Sequence, residues 1–184
     1  MHIRIISGKY KGRRITAPKN LPIRPTTDRA KESLFNILNN YTYIPELKIL
    51  DLFTGSGGIA YEFASRGAKD IQAVDRNFSV VKFVNKTAGA FEFPIKTIKK
   101  DVIKFLEKTP ETYDIIFADP PYDLDKTLLD KILKLVFERK LLKPEGFYIL
   151  EHIEQHDFSQ HPHFMYARKY GLTVFSFFSE QEQM

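Results

Sequence analysis

The chain has 184 residues, of which 43% are hydrophobic and none is cysteine, which suits one domain with a real core and excludes disulfides and thiolate metal sites. The net charge of +5 is uneven: residues 1–27 hold seven Lys or Arg and no Asp or Glu, leaving 21 basic and 23 acidic residues for the rest. No apolar run approaches transmembrane length and the N-terminus lacks the apolar core of a signal peptide, so a cytoplasmic protein is expected.

Residues 2–17 predict a β-hairpin, with Ile3, Ile5, Ile6, Ile15 and Ala17 as its apolar positions and the turn Gly8-Lys9-Tyr10-Lys11-Gly12 at its tip. Arg4, Lys9, Lys11, Arg13 and Arg14 beside Tyr10 suit RNA phosphates and base stacking, the alternative being a solvated tail. Pro18 to Pro25 reads as an extended connector. The expected division is a basic hairpin and connector over 1–25 and a catalytic domain over 26–184. Thr26-Thr27-Asp28 offers N-cap oxygens to a helix with Ala30, Leu34, Ile37, Leu38 and Tyr41 on one face. Arg24, Thr26, Asp28 and Arg29 stand at its entry, where free amides collect ligands.

From Leu47 the pattern alternates strand and helix. Strands are expected at Lys48–Phe53, Ile71–Asp75, Ile95–Lys99, over the Ile115-Ile116-Phe117 run that must stop at Asp119, and at Phe147–Glu151, with four helices between them. That alternation implies a parallel sheet with right-handed crossovers. A closing hairpin around Tyr170-Gly171 would add antiparallel edge strands.

Asp51-Leu52-Phe53-Thr54-Gly55-Ser56-Gly57 joins the first of these strands to its helix, a place where glycine lets backbone approach a ligand. Asp75 ends the next strand, positioned for a ribose diol. Gly55-x-Gly57-x-x-Ala60 also fits a nicotinamide fingerprint, so the loop alone does not choose the cofactor. Asp51 before the loop would repel a pyrophosphate but attract a cationic amine, and Asp101 can accept from an adenine amine. These favour S-adenosylmethionine, with Arg76 and Val102 completing the expected cofactor set. Asp119-Pro120-Pro121-Tyr122 follows a buried strand, and its prolines end the ladder and stiffen the exit. A carboxylate, a fixed carbonyl and an aromatic face suit a nucleobase with an exocyclic amine.

These residues resemble class I S-adenosylmethionine-dependent methyltransferases of the Asp/Asn-Pro-Pro-Tyr type, which methylate exocyclic amines. Ile5 to Arg14 and Arg24 to Leu38 narrow the resemblance to the bacterial RsmD family, the 16S rRNA guanine-N2 methyltransferases. The resemblance implies a Rossmann-like, mostly parallel seven-stranded sheet with helices on both faces and one reversed edge strand. It also implies transfer of a methyl group to guanine N2 of 16S small-subunit RNA within an assembling subunit, by a monomer. Adenine-N6 or another exocyclic amine is the nearest alternative, and a non-enzymatic RNA-binding protein the alternative from another class. Glu151 to Phe158 is short and polar for the helix this class usually places after its fifth strand. His152, His156, His161 and His163 are read as exposed loop residues, and no metal is expected.

Overall fold

The computed structural model describes residues 1–180. Strands β1 (His2–Arg4) and β2 (Arg14–Thr16) form the expected hairpin, paired Ile3 to Ile15. Helix α1 (Asp28–Tyr41) follows, capped by Thr27, whose hydroxyl accepts from the Ala30 amide. Five strands then alternate with four helices: β3 (Lys48–Leu52), α2 (Gly58–Ser65), β4 (Asp70–Asp75), α3 (Phe78–Phe91), β5 (Ile95–Lys99), α4 (Val102–Lys108), β6 (Tyr113–Ala118), α5 (Lys126–Glu138) and β7 (Leu142–Ile153). Strands β8 (Phe164–Tyr170) and β9 (Thr173–Phe178) close the chain.

The sheet order is β5-β4-β3-β6-β7-β9-β8. β3 to β7 run parallel, and β9 is antiparallel to both β7 and β8. This corrects the expectation of a reversed edge strand: β9 sits second from the edge, and the edge strand β8 runs with the parallel set. The hairpin inserts its second strand between the first and β7, where Val174 to Phe178 are buried. Its partly exposed first strand takes the edge. Residues 154–163 form turns and not a helix.

Period-two alternation divides the strands between two cores. Ile49, Ile71, Ala73, Ile115, Phe117 and Ile149 face α1, α2, α3 and the hairpin. Leu50, Leu52, Val74, Ile116, Ala118 and Leu150 face α4 and α5. The helices therefore cover both faces. The histidines are not all loop residues: His152 lies in β7, only 4% exposed, with its ring bonded to Ser176. His163 stacks on Phe137 at 4.1 Å. Among the described residues no group of three or more His, Cys, Asp or Glu is gathered as a metal site.

The N-terminal hairpin is fastened to α2. Ile3, Ile5, Ile15 and Ala17 are buried in the same core as α1 and α2. Gly8, at φ +89°, comes so close to α2 that a Cβ there would lie 2.0 Å from the Ser65 carbonyl oxygen. Glu62, wholly buried, accepts from the Ile6 and Ser7 amides at 2.9 and 3.1 Å. It is also paired with Arg66 at 2.8 Å and with buried Lys31 at 3.7 Å. Lys31 in turn donates to the Arg4 carbonyl. Removing one member of a buried ion pair strands the other charge, at a cost of roughly 3–5 kcal/mol. Glu62→Ala is expected to lose about that much stability in urea denaturation, and to speed hydrogen exchange at Ile6 and Ser7 before the rest of the sheet. Uniform exchange rates would show that Glu62 does not hold the hairpin.

Candidate active site

A cleft opens at the C-terminal ends of the parallel strands, with a volume of about 780 Å³, within the usual range for small-ligand sites. It gathers the sequence-predicted cofactor residues except Gly57, and the whole Asp119–Tyr122 set. Asp51, Phe53, Thr54, Gly55, Ser56, Asp75, Arg76, Asp101 and Val102 line it from one side, and Asp119, Pro120, Pro121 and Tyr122 from the other.

The glycine loop between β3 and α2 is built for close approach. Gly55 and Gly57 take φ of +53° and +83°, and even Phe53 adopts +56°. A Cβ on Gly57 would meet the Tyr61 ring at 2.4 Å, so this position admits only glycine without rearrangement. Asp51 is 2% exposed and its Oδ2 accepts from the Thr54 hydroxyl at 2.6 Å. Burial pushes its carboxyl up to about 7, against the pull of the Thr54 hydrogen bond. Asp75 accepts the Gly55 amide at 3.2 Å and the Asn77 amide at 3.0 Å, which fixes its carboxylate at the cleft wall with further lone pairs free. Asp101 caps α4 by accepting from the Lys104 amide while still bordering the cleft.

On the other side β6 stops at Ala118, as the prolines require. Asp119 is held by its amide on the Leu52 carbonyl. Because Ala118 pairs with Leu150, the next residues, Asp119 and Glu151, fall side by side. Glu151 is 2% exposed and accepts from the Thr26 hydroxyl at 3.0 Å. Burial raises both carboxyls, and Asp119, which gives a hydrogen bond to Glu151, stands well above the usual carboxylate range. Glu151 was not among the expected site residues. Its signal was present, since it is an acid following a buried apolar run, Tyr148-Ile149-Leu150, as Asp51 and Asp119 follow theirs.

The connector reaches the same place. Arg24 donates to Asp119 at 3.2 Å and lies 3.2 Å from the centre of the Tyr122 ring. Thr26 thus serves Glu151 and leaves helix capping to Thr27.

The basic residues meet two fates. Lys9, Lys11, Arg13, Arg14 and Arg29 are exposed. Arg4 is paired with Asp28 at 3.0 Å. Tyr10 departs from its expected stacking role: its ring packs edge-on against Phe91 and Phe93, and its hydroxyl donates to the Phe91 carbonyl. The hairpin tip lies against the body, so its aromatic ring is drawn into the core that holds it there.

A family model described as "Conserved hypothetical protein 95" matches residues 3–179. The chain belongs to that family. Two relatives agree with the RsmD resemblance. "Putative rRNA methyltransferase YlbH" of Bacillus subtilis is 36% identical over 155 residues, covering 82% of each chain. "Ribosomal RNA small subunit methyltransferase D" of Buchnera aphidicola is 34% identical, covering 81% of this chain and 75% of its own. The solved structure titled "Putative methyltransferase yhhF from Escherichia coli" superposes over 100% of both chains with a TM-score of 0.84 and 25% identity. The family's class I methyltransferase relatives imply S-adenosylmethionine. The residues present fit it: a loop whose Gly55 and Gly57 leave room for close approach, a carboxylate at the cleft wall for a diol, and a buried carboxyl with no cation beside it among the described residues.

Asp75→Ala is expected to weaken S-adenosylmethionine binding by about 1.5–3 kcal/mol, the usual contribution of hydrogen bonds to a charged group. Titration calorimetry checks it, and unchanged affinity rules out the diol assignment. Asp51 adds a pH dependence. Its folded value of about 7 lies above its ordinary 3.8, so the apo fold loses stability as pH rises between those two values. A bound cationic amine favours the carboxylate, so cofactor affinity should rise with pH by at most about tenfold per unit up to about 7, then level off. Calorimetry in two buffers of different ionisation enthalpy should show proton release below that pH.

Proposed function

We propose that the protein transfers the methyl group of S-adenosylmethionine to the exocyclic N2 of a guanine in small-subunit ribosomal RNA. The observation that carries this reading is the position of Asp119-Pro120-Pro121-Tyr122 across one cleft from the Asp51 and Asp75 loop. The names of the relatives supply the ribosomal RNA. When bound, the cofactor supplies an electrophilic methyl group on a sulfonium.

The chain's own part is positioning and charge. The Asp119 carboxyl oxygen and the Pro120 carbonyl accept the two N2 protons and aim the nitrogen lone pair at the methyl group. Orientation of this kind can supply on the order of 7–11 kcal/mol of barrier reduction. Tyr122, 40% exposed at the cleft mouth, offers its face to the unstacked base, worth about 1–3 kcal/mol. Asp119 and Glu151 behind it share a proton between them, so the pair keeps one negative charge and takes up the proton that the methylated nitrogen sheds. The exposed basic residues of the hairpin contact RNA phosphates.

Asp119→Ala is expected to abolish single-turnover methyl transfer while leaving cofactor affinity nearly intact. Near wild-type rates would remove Asp119 from the amine-orienting role. Replacing Lys9, Lys11, Arg13 and Arg14 together should weaken RNA binding and flatten its salt dependence, by a slope of about 0.7 per lost contact on single-stranded RNA. Filter binding across a salt series decides this, since a solvated hairpin would leave the slope unaltered.

A further inference from the structure

Arg24 belongs to the connector between β2 and α1, yet its side chain reaches across the cleft. It makes the two contacts assigned above to the target base: a face on the Tyr122 ring, 3.2 Å from its centre, and a donated hydrogen bond to Asp119 at 3.2 Å. Its side chain is 40% exposed, so burial does not force it there. The coincidence has a chemical reason. The N1–H, C2 and N2–H2 atoms of guanine are a guanidine unit, a planar carbon bearing three nitrogens with N–H donors along one edge. The arginine head group is the same unit with a positive charge. Adenine and cytosine lack that edge, because no ring N–H stands beside their exocyclic amine.

We propose that Arg24 is a built-in stand-in for the target base, filling the Asp119–Tyr122 slot of the RNA-free enzyme and leaving it when guanine enters. The proposal rests on the methyltransferase reading and deepens it: the slot selects guanine because it is made for a guanidine edge. Two residues further on, the Thr26 hydroxyl is bonded to buried Glu151 at 3.0 Å, which keeps Arg24 on a short tether beside the slot. Once displaced, the guanidinium is free to take a phosphate of the same RNA, a bidentate partner it suits better than lysine does. The swap also changes the charge beside Asp119. Arg24 holds the Asp119 carboxyl down against burial and Glu151, and its departure lets the pair hold its shared proton more firmly.

An occupied slot lowers the apparent affinity for the base by the fraction of time the slot is open. The test uses guanosine, which has no phosphate and so reports on the slot alone. Its affinity is measured by NMR titration of wild type, Arg24→Ala and Arg24→Lys, each loaded with S-adenosylhomocysteine. Guanosine should bind Arg24→Ala about tenfold tighter than wild type, with adenosine unchanged. Arg24→Lys should follow the alanine variant, because lysine cannot stack a planar fork on Tyr122. Low-millimolar guanidinium ion should compete with guanosine in Arg24→Ala. Guanosine affinity in Arg24→Ala that is equal to wild type, weaker or undetectable overturns the stand-in and makes Arg24 part of the slot wall. Nucleoside analysis of small-subunit RNA methylated by the wild type keeps the two readings apart: lack of N2-methylguanosine there ends the methyltransferase assignment whatever the affinities.

Discussion

Four carboxyl groups close four neighbouring strands at one edge of the sheet: Asp75 on β4, Asp51 on β3, Asp119 after β6 and Glu151 on β7. A parallel sheet forces this, since its strands all point the same way; Asp75, Asp51 and Asp119 line one cleft there and Glu151 lies beside Asp119. Three of the four are buried or nearly so, and each of these three titrates high. Such an edge is short of positive charge and N–H donors, and everything drawn to it supplies them. The Gly55 and Asn77 amides hold Asp75, the Thr54 hydroxyl donates to Asp51, and Arg24 answers Asp119. A cofactor with a cationic amine and a sulfonium, and a base that presents only donors to Asp119, fit the same deficit.

The hairpin completes the site from a distance. Glu62 ties Ile6 and Ser7 to α2, and Thr27 starts α1 at a fixed point. The connector between these anchors has little choice of path. Leu21 is buried as it passes, and Ile23, Arg24 and Thr26 come to line the cleft. The segment richest in positive charge is thereby held beside the most acidic edge of the body. This gives a physical link between RNA contact at the hairpin and access to the slot: the same stretch of chain carries both.

Much of this was legible in the sequence because it depends on local rules. The alternation of apolar strands with amphipathic helices fixed the parallel core, and the glycines after Asp51 and the prolines after Asp119 marked the exits where ligands gather. The hairpin, the connector and the Thr27 helix start follow from turn and capping chemistry. Each signal lies within a few residues of its effect.

What the tertiary structure decided involves residues far apart in the chain. The place of β9 inside the sheet depends on which strand could be buried on both sides. The pairing of Asp119 with Glu151 depends on the register of β6 against β7. The capture of Tyr10 by Phe91 and Phe93 depends on the hairpin docking against the body, and the seat of Arg24 on Tyr122 depends on the path that docking imposes. Sequence spacing carries the chemistry of each residue and the period of its own element. It carries no measure of which elements meet, because that is settled by the burial of whole faces against one another.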